Sequence, residues 1–164
     1  ANIEGPAYIR IGSGRDPVLF ENDEPFELGK IRVLKDYGDD VAIFTNGFII
    51  HRSLEAAELL LKEGIKVKVV EVHTLKPLDV EGITGVLRKT KAAVTVEDHN
   101  IIGGLGSAIA ETSAEEIPVP VIRLGLKDVY PESGEPDELL DKYGMSVSDI
   151  MNACRVAIGK KGEG

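Results

Sequence analysis

The chain has 164 residues, 43% hydrophobic and 29% charged, with 28 acidic against 19 basic side chains and a net charge of −9. That length buries one sizeable core but not two plus a linker, and the balance of apolar and charged residues is that of an ordinary globular fold. The acidic excess, with no Lys/Arg cluster, argues against nucleic acid as a partner, and no apolar run reaches the roughly 20 residues that a membrane span needs.

Cys154 is the only cysteine, so there is no internal disulfide and the expected compartment is the cytosol. The start "ANIEGPAYIRIG" has no initiator Met and no signal or transit pattern, and reads as the middle of a longer protein. Alternation in "AYIRI" predicts a short strand at Tyr8 to Ile11, after which a Gly-, Pro- and Asp-rich stretch that includes the acidic run "ENDEPFE" reads as a solvated linker.

From there strands and helices alternate. "IRVL" (31–34) and the continuous apolar run "VAIFT" (41–45) are strands separated by only "KDYGDD". A connection that short makes a hairpin but not a parallel crossover, so one antiparallel strand is expected. Ser53 is the expected N-cap of the next helix, with Leu54, Ala57 and Leu61 on its apolar face and Gly64 at its end. "KVKVVEV" (66–72) is a strand, and "TLKPLD" leads to a helix capped by Asp79 with Val80, Ile83 and Leu87 inward. "AAVTVE" (92–97) is followed by a helix over about 104–116, and "VPVIRLG" (119–125) by a short helix around Asp137 to Tyr143. A last helix starts from Ser146 in a capping-box pattern. The expected fold class is α/β: a three-layer sandwich with a mostly parallel sheet of about five strands, one antiparallel, and helices on both faces.

The most pointed stretch is "VTVEDHNIIGGLGSAIAE" (94–111). A glycine turn from strand to helix is how dinucleotide folds seat a pyrophosphate. Here Gly104 and Gly106 supply G-x-G, but the third small position falls on Ile109, and Glu97 and Asp98 stand where they would repel phosphate. Close packing of the helix through Gly103, Gly104 and Gly106 is the better reading. His99, between Asp98 and Asn100, has the makings of a base oriented by a carboxylate, although a hydrogen-bonded turn or interface residue is the simpler account. His51 and His73 also follow strands but show no metal-ligand spacing, and Cys154 reads as a small buried residue. Arg10 and Arg15 flank a Gly-Ser-Gly segment, and their guanidinium groups, the Ser13 hydroxyl and backbone amides are able to converge on a phosphate or carboxylate. From spacing alone they read as solvated linker residues.

Taken together, "GPAYIRIG", "VAIFTNG", "HRSLEAAELL", "VEVHTLKPLD", "VTVEDHNIIGGLGSAIAE" and "ESGEPDELLDKYGMSVSDIM" resemble the C-terminal domain of transketolases, above all the archaeal and bacterial kind split between two chains. The domains of 1-deoxyxylulose-5-phosphate synthase and of the 2-oxoacid dehydrogenase beta chain share the strand, "KPLD" and glycine features and are the nearest alternatives. A free-standing α/β module binding a nucleotide or another small anion at the glycine turn is the alternative from another class.

The resemblance implies an enzyme that moves a two-carbon ketol unit between sugar phosphates with thiamine diphosphate and magnesium. It also implies that residues 1–28 are the end of a pyrimidine-binding domain and a linker, and that 29–164 are the C-terminal domain. The Gly-Asp-Gly and Asn of a pyrophosphate-binding domain have no counterpart here, since Gly38-Asp39 is followed by Asp40. On this reading the chain has no catalytic residue, metal ligand or cofactor of its own and is inactive alone. Its partners are the pyrophosphate- and pyrimidine-binding domains, in an assembled homodimer. Asp98, His99, Gly103, Gly104 and Gly106 become a loop that packs against the rest of the enzyme. By the same resemblance Arg10 lies near the substrate phosphate. The family's second Arg is replaced by Ser13, which either removes that contact or shifts it onto Arg15.

Overall fold

The structure, a computed structural model, describes residues 4–9, 18–20 and 25–162. The elements follow as β1 (Arg32–Asp36), β2 (Val41–Thr45), a short 3-10 turn (Gly47–Ile49), α1 (Ile50–Lys62), β3 (Val67–Glu71) and α2 (Val80–Thr90). They continue with β4 (Ala93–Asn100), α3 (Leu105–Glu116), β5 (Val121–Leu126), α4 (Pro136–Lys142) and α5 (Val147–Gly159). One sheet results, in the order β1-β3-β2-β4-β5, with β1 antiparallel to β3 and every other pairing parallel.

The period of two along each strand sorts side chains onto two cores. Val41, Ile43, Val67, Val69, Val94 and Val96 face one way, packed under Ala56, Ala57 and Leu60 of α1 and Ile150, Ala153 and Ala157 of α5. Ala42, Phe44, Val70 and Ala93 face the other, under Ile83 and Leu87 of α2 and Leu105 and Ile109 of α3. This is the expected three-layer sandwich with a single antiparallel strand.

The hairpin is not formed. β1 pairs with β3, which lies between it and β2. The connection wraps the start of β3, where the Tyr37 N–H donates to the Val67 carbonyl and the Asp40 N–H to the Lys66 carbonyl. Burial explains the order: β2 is buried along its whole length and requires a neighbour on both sides, whereas β1 is half exposed and suits an edge.

Helix starts differ too. Ser53 does not cap α1. The helix begins at Ile50 after the 3-10 turn, and Ser53 is buried inside it, its hydroxyl donating to the Ile49 carbonyl at 3.3 Å. The buried face runs through Ile50, Ser53, Ala57 and Leu60, leaving Leu61 exposed, and Val80 of α2 is likewise exposed. Asp79 caps α2 as expected, accepting from the Gly82 N–H, and Ser146 and Asp149 form the capping box of α5. β4 runs on through Asn100, past its expected end. Tyr8 and Ile9 are exposed and not in a strand, while Arg10 and Ile11 lie outside the described residues.

Candidate functional site

The glycine stretch forms the junction between β4 and α3. Glu97 is 2% exposed and turns its carboxylate onto the start of α3. There Oε2 accepts from the Leu105 N–H at 2.7 Å and Oε1 from the Gly106 N–H at 2.8 Å. A helix N-terminus leaves unpaired N–H groups and a partial positive charge, and here the chain's own carboxylate occupies it.

The glycines are what permits this approach. A Cβ on Gly104 would stand 2.0 Å from Glu97 Oε2, one on Gly106 2.9 Å from Thr95 Oγ1, and one on Gly125 of β5 2.8 Å from the His99 carbonyl. Gly103 has φ +75 and donates its N–H to Ser107 Oγ. Close packing on the sheet is therefore the role of Gly104 and Gly106. The alternative of a nucleotide module at this turn is overturned, because Glu97 fills the place a pyrophosphate would need. Glu97, expected to repel phosphate, instead takes its place in the fold.

Asp98 and His99 are exposed beyond the joint. The loop is tied down on both sides: the Asn100 side-chain amide donates to Asp128, the Ile102 N–H donates to Asn100 Oδ1, and Arg123 Nη1 donates to the Ile101 carbonyl. Together with the segment after β5 it presents Ile102, Val129 and Tyr130, which are 64%, 44% and 102% exposed.

A second built region receives the chain before β1. The buried Asp79 carboxylate accepts from the Ile31 N–H at 3.0 Å and the Gly82 N–H at 3.2 Å, and Lys30 Nζ lies 3.4 Å away. Burial pushes the Asp79 carboxyl up, but these donors together outweigh it and hold it below its ordinary value. Thr74 Oγ1 accepts from the Gly29 N–H, and the Phe26 ring lies 4.3 Å from that of His73. The stretch from His73 to Asp79 thus holds Phe26 and residues 29–31 as well as starting α2.

Arg52 was missed by the sequence reading. It is 7% exposed, and its guanidinium donates to Asp137 Oδ1 at 2.8 Å, Asp141 Oδ1 at 2.6 Å and the Asp137 and Met145 carbonyls. Burial pushes its pKa down, and the paired carboxylates more than restore it. The available signal was the i, i+4 spacing of Asp137 and Asp141, which puts both carboxylates on one face of α4.

The remaining candidates are local. His51 Nδ1 pairs with the Phe48 carbonyl at 2.7 Å and His73 Nδ1 with Thr74 Oγ1 at 2.7 Å. Cys154 is fully buried and burial pushes its thiol up to about 12, so it is a core residue and not a nucleophile at neutral pH. Arg10, Ser13 and Arg15 lie outside the described residues. Among the described residues no group of three His, Cys, Asp or Glu side chains is arranged to hold a metal. With the helix terminus filled by Glu97, these residues do not fit a diphosphate cofactor and its magnesium.

The structure defines a three-layer α/β domain whose glycine joint is closed by a carboxylate of the same chain. A family model described as "Transketolase, C-terminal domain" matches residues 29–150. The chain belongs to the transketolase C-terminal domain family. It is 42% identical to a 6-deoxy-6-sulfo-D-fructose transketolase subunit of a Clostridium species, over 96% of this chain and 49% of the relative. It is 40% identical to a putative transketolase C-terminal section of Methanocaldococcus jannaschii, over 92% of this chain and 47% of the relative. Among solved structures, a split-gene transketolase titled as an inactive beta4 tetramer superposes with a TM-score of 0.89 at 45% identity, covering 97% of this chain and 52% of that one. The chain spans about half the length of the curated relatives it matches.

Proposed function

We propose that the chain is the assembly domain of a cytosolic, thiamine-diphosphate-dependent transketolase that moves a two-carbon ketol unit between sugar phosphates. Residues 1–28 are then the tail of the pyrimidine-binding domain and the linker, and 29–164 the C-terminal domain. The cofactor and its magnesium belong to the pyrimidine- and pyrophosphate-binding domains of an assembled homodimer.

The observation that carries this reading is the Glu97 carboxylate seated on the amides of Leu105 and Gly106. It makes the glycine turn a rigid support for the loop that includes Asp98, His99 and Gly103. Exposed Ile102 at the tip of that loop, beside Val129 and Tyr130, is the apolar surface offered to the neighbouring domain. The family resemblance makes Arg10 and Arg15, with Ser13, the residues proposed to contact the substrate phosphate.

The test is reconstitution. The chain alone, given thiamine diphosphate, magnesium, xylulose 5-phosphate and ribose 5-phosphate, is expected to be silent, and activity is expected once the missing domains are added. Silence after reconstitution, with the added domains shown to bind cofactor and to associate with the chain, overturns the assignment. In the active assembly Arg10→Ala and Arg15→Ala should raise KM for phosphorylated sugars more than for unphosphorylated ones.

A further inference from the structure

Order β1-β3-β2-β4-β5 means that the chain leaves β2 toward β3 and leaves β4 toward β5, so these two neighbours diverge at their C-terminal ends. Open α/β sheets take ligands in the crevice such a divergence creates. Here the crevice contains a cavity of about 190 Å³. Phe48, just after β2, forms one side and Leu126, at the end of β5, another, while Leu139, Tyr143 and Met145 close it from α4 and the turn that follows. Asp98, near the C-terminal end of β4, sits among these apolar walls. An apolar cavity of roughly 150 Å³ suffices to bind benzene, so this one accommodates an aromatic ring with a short arm.

The charge of the occupant follows from the lining. Among the described residues that line it, Asp98 is the only charged one. Arg52, which reaches the carbonyl of Met145 in the lining, is consumed by that carbonyl, the Asp137 carbonyl and the Asp137 and Asp141 carboxylates. Helix starts at α1 and α4 contribute partial positive charge, but α4 carries Asp137 and Glu138 in its first turn and the full charge of Asp98 exceeds what remains. An anion is disfavoured. A cation held at Asp98, which is exposed, keeps part of its hydration and avoids the cost of full burial. The walls are also preset: His51 Nδ1 pairs with the Phe48 carbonyl while its ring meets that of Phe48 edge-on at 5.0 Å, and the Tyr143 hydroxyl accepts from the Glu132 N–H.

We propose that the cavity between Phe48, Asp98, Leu126 and Tyr143 binds a small organic ammonium ion, its apolar body against the rings and its charged head on Asp98. This gives Asp98 a role separate from that of the loop tip and does not depend on the enzyme assignment.

The chain alone serves for the test. Amide spectra are recorded during titration with phenethylammonium, and with phenethyl alcohol and 3-phenylpropionate as neutral and anionic probes of similar size. The ammonium probe should shift resonances of Phe48, Leu126 and Tyr143 with a Kd on the order of 1 mM, ahead of the alcohol and far ahead of the anion. Asp98→Asn, at an exposed position, should weaken the ammonium about tenfold and leave the alcohol unchanged, whereas Leu139→Trp should block both. No shift at tens of millimolar, equal binding of the anion, or an Asp98→Asn variant that binds the ammonium as tightly as the parent overturns the proposal.

Discussion

Two strand-to-helix junctions flank the divergence of the sheet, and they treat the same physical problem differently. At the β4 to α3 junction the exposed amides of the helix start are met by Glu97, and Gly104, Gly106 and Gly125 bring backbone and carboxylate into contact. At the β2 to α1 junction no side chain caps the helix and its first turn has no acidic residue; the chain enters through a 3-10 turn in which Gly47 takes φ +64. The first junction is closed, and the second borders the cavity. A glycine cluster therefore signals close approach, but the approaching group here is part of the same chain.

The closed joint is the place to break this contrast most severely. Gly104→Ala places a methyl 2.0 Å from Glu97 Oε2 and 2.8 Å from the Asn100 carbonyl. We expect a loss of at least about 3 kcal/mol in denaturant unfolding, enough to threaten folding at 37 °C. Glu97→Gln keeps the shape but removes the charge and offers one acceptor where two are used, so it should cost about 2 kcal/mol. A Gly104→Ala chain as stable as the parent would show that the junction is open.

Next in size is the clamp over the second junction. Arg52→Met retains the apolar stem and removes every contact of the guanidinium with α4 and the following turn, at a cost of about 2 kcal/mol. Hydrogen exchange should accelerate over 136–145 while amides of α3 stay protected. Uniform acceleration over both regions would mean that the two junctions do not act as separate units.

The smallest effects come from a pair of carboxylates at the other edge of the sheet, with opposite signs. Asp79 is held below its ordinary value, so its contribution is present above the unfolded value of about 3.9 and is lost as pH falls through the lower folded value. Asp79→Asn should therefore lower Tm at pH 7, by an amount equivalent to about 1 kcal/mol, and the difference should shrink in acid. Burial pushes Glu71 up, opposed by His73 and Arg32. Its charged form is penalised in the fold, and stability is regained as pH falls through the raised folded value toward about 4.3. Glu71→Gln should raise Tm slightly at pH 7 and make no difference below pH 4. The same sign for both variants would contradict the environments described.

Most elements were legible because they depend on local patterns. The apolar runs of β2 and β4, the Asp79 cap and the Ser146 capping box are properties of neighbouring residues. Ser53 misled because a serine before an apolar helical face has the same pattern whether it caps or lies inside the helix, and only burial under the sheet decides. The clamp of Arg52 joins residues 85 and 89 positions apart, a separation at which neither partner announces the other.

By itself the sequence determined the layer architecture, the single antiparallel strand and the resemblance to a family, since hydrophobic period, caps and motif order are encoded along the chain. Tertiary structure decided that β3 separates β1 from β2, that the anion at the α3 terminus is Glu97, and that Asp98 faces a cavity bounded by α4. These outcomes depend on which surfaces meet in three dimensions. Burial and electrostatic pairing between distant segments settle them, and no local pattern carries that information.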